Sequence, residues 1–270
     1  MNLNTIVELK RPKSLEDIEW RDGHAWLAGG TWLFSEPQVA TDTLVDLEQL
    51  GWPALTVTPA GLEIAATCKI VELHNLKPPT EWRAAPLFGQ CIDAFLMSFK
   101  IWNAATVGGN LCMSLPAGAM ISLTAALEGV CTLWPRTGRP RQVPVVDFVT
   151  GVHENVLQKG ELLRSIQLPA SALTKRSAMR QVSLTRFGRS AALIIATVGD
   201  NGDDFLLTIS AATPRPVHLR FGRTPGAAEL RETIDERLPP AAWFHDVHGS
   251  ASYKRHVTFY LAEQIRSELA

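Results

Sequence analysis

Two apolar runs of eight residues each, 191–198 and 205–212, flank the polar stretch Asp200-Asn201-Gly202-Asp203. The runs are rich in Ile, Leu and Val and too short for a helix of ordinary length, so they read as buried strands. An Asn-Gly step supplies the positive-φ residues of a tight hairpin turn. The spacing therefore predicts an antiparallel pair. A third strand is expected at 217–221. The final segment, 252–269, places Tyr253, Val257, Tyr260, Leu261, Ile265 and Leu269 on or near one helical face. The last third of the chain is thus expected to be an α+β unit built on an antiparallel sheet.

Upstream of 170–175, just past Pro169, the texture changes. Elements are shorter, and seven of the eight tryptophans precede residue 135. Ser14 with Asp17 three residues on has capping-box spacing and predicts a helix N-terminus. Short strands are expected at 26–28, 44–47, 62–66, 130–134 and 161–168, and a short helix from Thr67 to Leu73. From Pro86 to Lys100, Leu87, Phe88, Cys91, Ile92, Phe95, Leu96 and Phe99 recur at helical spacing, which predicts one helix of more than three turns with a buried stripe. A second helix is expected at 120–127, stopped by Gly129.

At 270 residues the length suggests about two domains. With 46% hydrophobic and 20% charged residues, the chain has the make-up of an ordinary globular protein, not a disordered one. A formal net charge of −1 argues against a nucleic-acid binder. Cys68, Cys91, Cys112 and Cys131 form no CxxC pair, which argues against a zinc site or an iron–sulfur cluster on local pairs and fits thiols in a reducing compartment. No signal-peptide pattern opens the sequence, and no apolar run reaches membrane-span length, so a cytoplasmic protein is expected.

Two segments carry candidate chemistry. Gly29-Gly30-Thr31 follows a strand, and Thr106-Val107-Gly108-Gly109-Asn110 follows a helix. Glycine permits φ > 0 and lets bare backbone approach a ligand, and successive N–H groups in such turns make a concave nest for phosphate. Two such loops could hold a pyrophosphate between them. Each alone reads more readily as a tight turn than as a cofactor site. Neither contains the lysine of a P-loop, and no GxGxxG is present. The pair His245/His248 and the dipeptide His153-Glu154 read as solvated turns in preference to a metal or acid–base site. Arg136, Arg139 and Arg141, around Gly138 and Pro140, read as an exposed hairpin turn or part of a docking surface. There is no G-x-S-x-G and no HExxH.

Taken in order, Leu27-Ala28-Gly29-Gly30-Thr31, Leu44-Val45-Asp46-Leu47, Leu62-Glu63-Ile64-Ala65-Ala66-Thr67, Thr106-Val107-Gly108-Gly109-Asn110-Leu111, Gly160-Glu161-Leu162-Leu163 and Ser252-Tyr253-Lys254-Arg255 resemble the FAD-binding medium subunit, or flavin domain, of the molybdenum hydroxylases, the group that includes xanthine dehydrogenase and aerobic carbon monoxide dehydrogenase. The resemblance implies an α+β fold: two small α/β subdomains clasping FAD in a PCMH-like arrangement, at 1–60 and 61–172, and a C-terminal α+β domain at 173–270 with a three-stranded antiparallel sheet. It implies non-covalent FAD held by Ala28, Gly29, Gly30, Thr31, Trp32 and Leu33, by Thr106, Val107, Gly108, Gly109, Asn110 and Leu111, and by Leu163 and Arg180. It further implies an oxidoreductase subunit that passes electrons from [2Fe–2S] clusters on a small partner subunit, fed by a molybdopterin centre on a large one, to a terminal acceptor. No side chain here need act as nucleophile or general base. Trp32 stands where the family often has an acidic or polar residue, Ala119 where it often has an aspartate that reaches the cofactor, and no counterpart is found for an aromatic that some members stack on the flavin. The alternatives are a flavin-domain relic serving as a structural or interaction module, and a stand-alone flavin oxidoreductase.

Overall fold

The computed structural model describes residues 3–270. Its first lobe is a three-stranded parallel sheet of β1 (Glu8–Lys10), β2 (His24–Leu27) and β3 (Thr43–Asp46), in the order β1-β3-β2. The central strand carries the buried Leu44 and Val45. Parallel neighbours need crossover connections, and here these are irregular. The Asp17 carboxylate does accept the Ser14 N–H at 2.9 Å, but only a 3₁₀ turn forms, Leu15–Asp17. That turn buries no residue, so no packing extends it into a helix.

The second lobe is built on a five-stranded antiparallel sheet. Its strands are β4 (Leu55–Thr58), β5 (Gly61–Ala65), β6 (Val130–Trp134), β7 (Arg141–Pro144) and, after a two-stranded ribbon of β8 (Val149–Gly151) and β9 (Glu154–Asn155), β10 (Leu162–Pro169). The order is β4-β5-β10-β6-β7. Because β4 pairs with β5, the second sheet begins before residue 60. Its helices are α1 (Ile70–His74), α2 (Pro86–Asp93), α3 (Phe99–Trp102), α4 (Val107–Met113), α5 (Ala119–Ala126), α6 (Val145–Phe148) and α7 (Ala170–Leu173). The single helix expected at 86–100 is broken. α2 ends at Asp93, Leu96 takes a left-handed φ of 52°, and Ser98 starts α3. The start of the apolar stripe is core, but Leu96 and Phe99 are exposed.

The C-terminal unit is a meander of β11 (Arg176–Val182), β12 (Ala192–Val198), β13 (Asp203–Ser210) and β14 (Val217–Arg223), with α8 (Ala227–Arg237) and α9 (Ala251–Leu269). The expected hairpin joins β12 to β13, with Gly202 at φ 75°. The antiparallel sheet has four strands, one more than expected. The additional edge strand, β11, buries only Ala178 and alternates with arginines, so it shows no apolar pattern in the sequence. Strand β12 is buried on both faces. Leu193 and Ile195 join the core of the second lobe, while Ile194 and Ala196 join the core under α8 and α9. Helix α5, buried at every position, lies between the two units. Ser122 and Ser210 share a 2.6 Å hydroxyl contact across this junction, and the His218 ring meets the Ala125 carbonyl at 3.0 Å.

Candidate functional site

A cavity of about 650 Å³ opens where the three units meet. That is within the size range of cofactor pockets, roughly 300–1,000 Å³. Its first wall is the loop 28–33, which leaves the C-terminal end of β2, the end where open sheets containing parallel strands place ligands. All six of its residues line the cavity. Gly30 has φ 68°, a conformation that favours glycine. A Cβ at Gly29 would overlap the Ala104 carbonyl oxygen, so the two glycine segments touch one another just ahead of Thr106. The N–H groups of Gly30, Thr31 and Trp32 donate to no protein acceptor among the described residues.

The second wall is the start of α4. Here the expected loop is a helix. Thr106 is its N-cap, and the Thr106 hydroxyl accepts the Gly109 N–H at 3.0 Å. The N–H groups of Val107, Gly108 and Asn110 go to Cys68 O, Ala66 O and Thr106 O. The whole first turn is therefore already satisfied, and it offers no phosphate nest. What it offers is a bare surface. Gly108 lets the helix lie on the Ala66 backbone, and a Cβ on Gly109 would meet only the Thr106 hydroxyl of its own turn. The Asn110 Oδ1 accepts the Met120 N–H at 3.1 Å. This caps α5, whose own N-cap, Gly118, has no side chain to do so.

Thr106, Gly108, Gly109 and Asn110 line the cavity. Val107 and Leu111 lie on the other side of the helix and are fully buried in the core. Leu163 lines the cavity from the start of β10. Arg180 does not. It sits on the edge strand β11 and pairs with Glu268 of α9. Ala119 is buried at the start of α5 and is absent from the lining. The Trp32 ring lies 5.6 Å from that of His153, whose neighbour Val152 also lines the cavity.

Further walls were not read from the sequence. Phe95 and Met97 come from the break between α2 and α3, Ile101 from α3 itself, and 115–118 from the segment before α5. Arg189, Phe244, Asp246 and His248 come from the C-terminal unit. His248 is half of the H-x-x-H pair, whose other member, His245, is exposed and not among the lining residues.

Two contacts pin the cavity floor. Trp26 donates its indole N–H to the Glu161 carbonyl at 3.1 Å, joining β2 to the residue just ahead of β10. The buried Glu161 carboxylate takes two bonds from Arg141, at 2.8 and 2.7 Å, so Arg141 is a structural partner and not a free turn residue. Burial alone would raise the Glu161 carboxyl, but the arginine and the Gln158 N–H together outweigh it and hold the group below the usual carboxylate range. The Cys112 thiol in the wall is pushed up to about 12 by burial, so it is no nucleophile at neutral pH. The titratable side chains of the lining are Cys112, Arg189, Asp246 and His248. The arrangement suits a long ligand with an anionic middle and apolar ends.

A family model described as the FAD binding domain in molybdopterin dehydrogenase matches residues 3–171. Among curated relatives, xanthine dehydrogenase 1 of Arabidopsis thaliana is 28% identical over 123 residues, which is 43% of this chain and 9% of the plant protein. The chain thus matches about a tenth of that relative's length. The carbon monoxide dehydrogenase medium chain of Hydrogenophaga pseudoflava is 22% identical over 86% of this chain and 82% of its own. Among solved structures, a chain of CO dehydrogenase from Oligotropha carboxidovorans superposes with a TM-score of 0.80 at 20% identity, covering 96% of this chain and 97% of that one. A chain of quinoline 2-oxidoreductase from Pseudomonas putida 86 gives 0.77 at 17%, covering 97% and 96%. These structural likenesses speak for the fold, including the C-terminal unit beyond the matched family region.

Proposed function

Because the chain belongs to the family of FAD binding domains in molybdopterin dehydrogenase, an oxidoreductase family, we propose that it is the flavin subunit of a multi-chain enzyme and relays electrons within it. The observation that carries this reading is the cavity itself. Two glycine segments in contact present free N–H groups on one side and an uncluttered helix start on the other. That fits an FAD pyrophosphate with its two ring systems against apolar walls. The redox chemistry is that of FAD when bound. The chain's share is to bind, orient and exclude water.

In this reading the N–H groups of Gly30, Thr31 and Trp32 hold the phosphates, and the bare surface at Gly109 lets the cofactor chain pass. Asn110 has no protein acceptor for its Nδ2 among the described residues and can add a donor. Ala28, Gly29, Leu33, Thr106, Gly108 and Leu163 supply shape. Val107 and Leu111 act only by packing α4, and Arg180 has no direct part. We assign the molybdenum centre and the [2Fe–2S] clusters to partner chains. The relative named a medium chain supports this, as does the scatter of this chain's four cysteines, three of them buried. No helix among the described residues is long and apolar enough to cross a membrane, and we place the complex in the cytoplasm. The division into three units is also our reading, with the first boundary ahead of β4.

The test is reconstitution. The purified chain, incubated with excess FAD and passed through gel filtration, should carry flavin absorbance in its own peak. A folded chain that emerges colourless would overturn the cofactor reading and leave the relic reading in its place.

A further inference from the structure

We infer that Asp246, outside the matched family region, is a cofactor-binding residue that accepts a hydrogen bond from an N–H or O–H group of the bound dinucleotide, and that Lys254 is the residue that positions it. The inference rests on the reading of the cavity as the FAD site.

Asp246 is the only carboxylate among the described residues that line the cavity. Its two oxygens are used unequally. Oδ1 accepts the His248 N–H at 2.8 Å and lies 2.9 Å from the Lys254 ammonium. Oδ2 has no protein partner among the described residues. A carboxylate fixed through one oxygen, with the other free in a ligand cavity, is an acceptor awaiting a donor.

The tether is unusual. Lys254 is fully buried on α9. Its ammonium also donates to the Ala211 carbonyl at 3.1 Å and lies 5.0 Å from the Phe244 ring centroid. A buried ammonium is tolerated only when paired and hydrogen-bonded. Every partner of this one belongs to, or adjoins, a cavity wall. Phe244 and Asp246 line the cavity directly. Ala211 takes its N–H to the carbonyl of Pro116, another lining residue. Lys254 therefore fixes the C-terminal wall and ties it to the second lobe. The acceptor cannot face the pyrophosphate, since like charges repel. The donor is then on the flavin and ribityl half or on the adenosine half.

Apo protein is titrated separately with FAD, riboflavin and ADP, following flavin fluorescence and heats of binding. Asp246→Asn removes the charge. The double variant Asp246→Leu/Lys254→Met removes both charges, so that no buried ammonium is left unpaired. Each should weaken FAD by about tenfold or more, the usual effect of losing a charge-assisted hydrogen bond. The same loss should appear with riboflavin if the donor is on the flavin half and with ADP if it is on the adenosine half. Lys254→Met alone should also weaken FAD and change the visible circular dichroism of the bound flavin. Wild-type FAD affinity in either Asp246 variant, with a cooperative melt, overturns the assignment of Asp246. Wild-type affinity and dichroism in Lys254→Met overturn the tether. A wild-type chain that binds none of the three ligands overturns the cavity reading and this inference together.

Discussion

Glycine does two different jobs on the two sides of the cavity, and the difference is testable. Gly29 is forced by packing, because any side chain there meets the Ala104 backbone. Gly29→Ala should therefore destabilise the fold by roughly 1–3 kcal/mol, as overpacking does, and lower the melting temperature. At Gly109 an added side chain meets only the Thr106 hydroxyl of its own turn, and φ is not left-handed. Gly109→Val should melt close to wild type yet lose FAD in an equilibrium titration. Equal thermal damage in both variants would contradict this division. A third prediction concerns His24, buried on β2 with neither ring nitrogen hydrogen-bonded among the described residues. Burial first, then the nearby Arg21 and Lys10, push its pKa below the ordinary 6.5. The unfolded chain then binds a proton that the folded chain refuses, so stability should fall as pH drops below about 6.5. His24→Phe should flatten that slope in denaturant titrations at pH 5 and 7. At this scale the sequence was legible where a residue type has one meaning. The glycine pairs and Thr31 reach the cavity, while Val107 and Leu111 in the same motif face the core, because a helix turns successive residues to opposite sides.

At the scale of elements, the second glycine segment is a capped helix and not a loop. That changes what its polar residues do. Asn110 serves α5 through the Met120 N–H. Asn110→Ala should cost about 1 kcal/mol, the usual loss of a cap, measured by chemical denaturation, and should weaken FAD as well. Most strands were legible because alternation or short apolar runs mark them, and β6 falls at the expected residues. The helix expected at 86–100 shows the limit of such marks. Apolar spacing persists through Phe95 and Phe99, but nothing in it encodes the left-handed turn at Leu96. That break is what brings Phe95, Met97 and Ile101 to the cavity. Strand β11 was hidden for the opposite reason, since an edge strand with little to bury carries no apolar pattern.

For the whole molecule, the part of the site that sequence reasoning missed is the part assembled from a distance. Arg189, Phe244 and Asp246 carry no motif of their own, and the H-x-x-H pair that includes His248 reads as a solvated turn; the docking of the C-terminal sheet on α5 sets them beside loop 28–33. Recognisable similarity to the family model stops at residue 171. Helix α5 lies well inside that limit, yet one of its sides is covered by strands of the C-terminal sheet, through contacts such as Ser122 with Ser210 and Ala125 with His218. A chain ended at residue 171 should therefore aggregate or bind a hydrophobic dye, while the full chain does not. The stretch that the family model spans is thus shorter than the stretch that must fold as one. A gene fusion or fission that cut this lineage at the edge of its signature would yield a piece with an unhealed face.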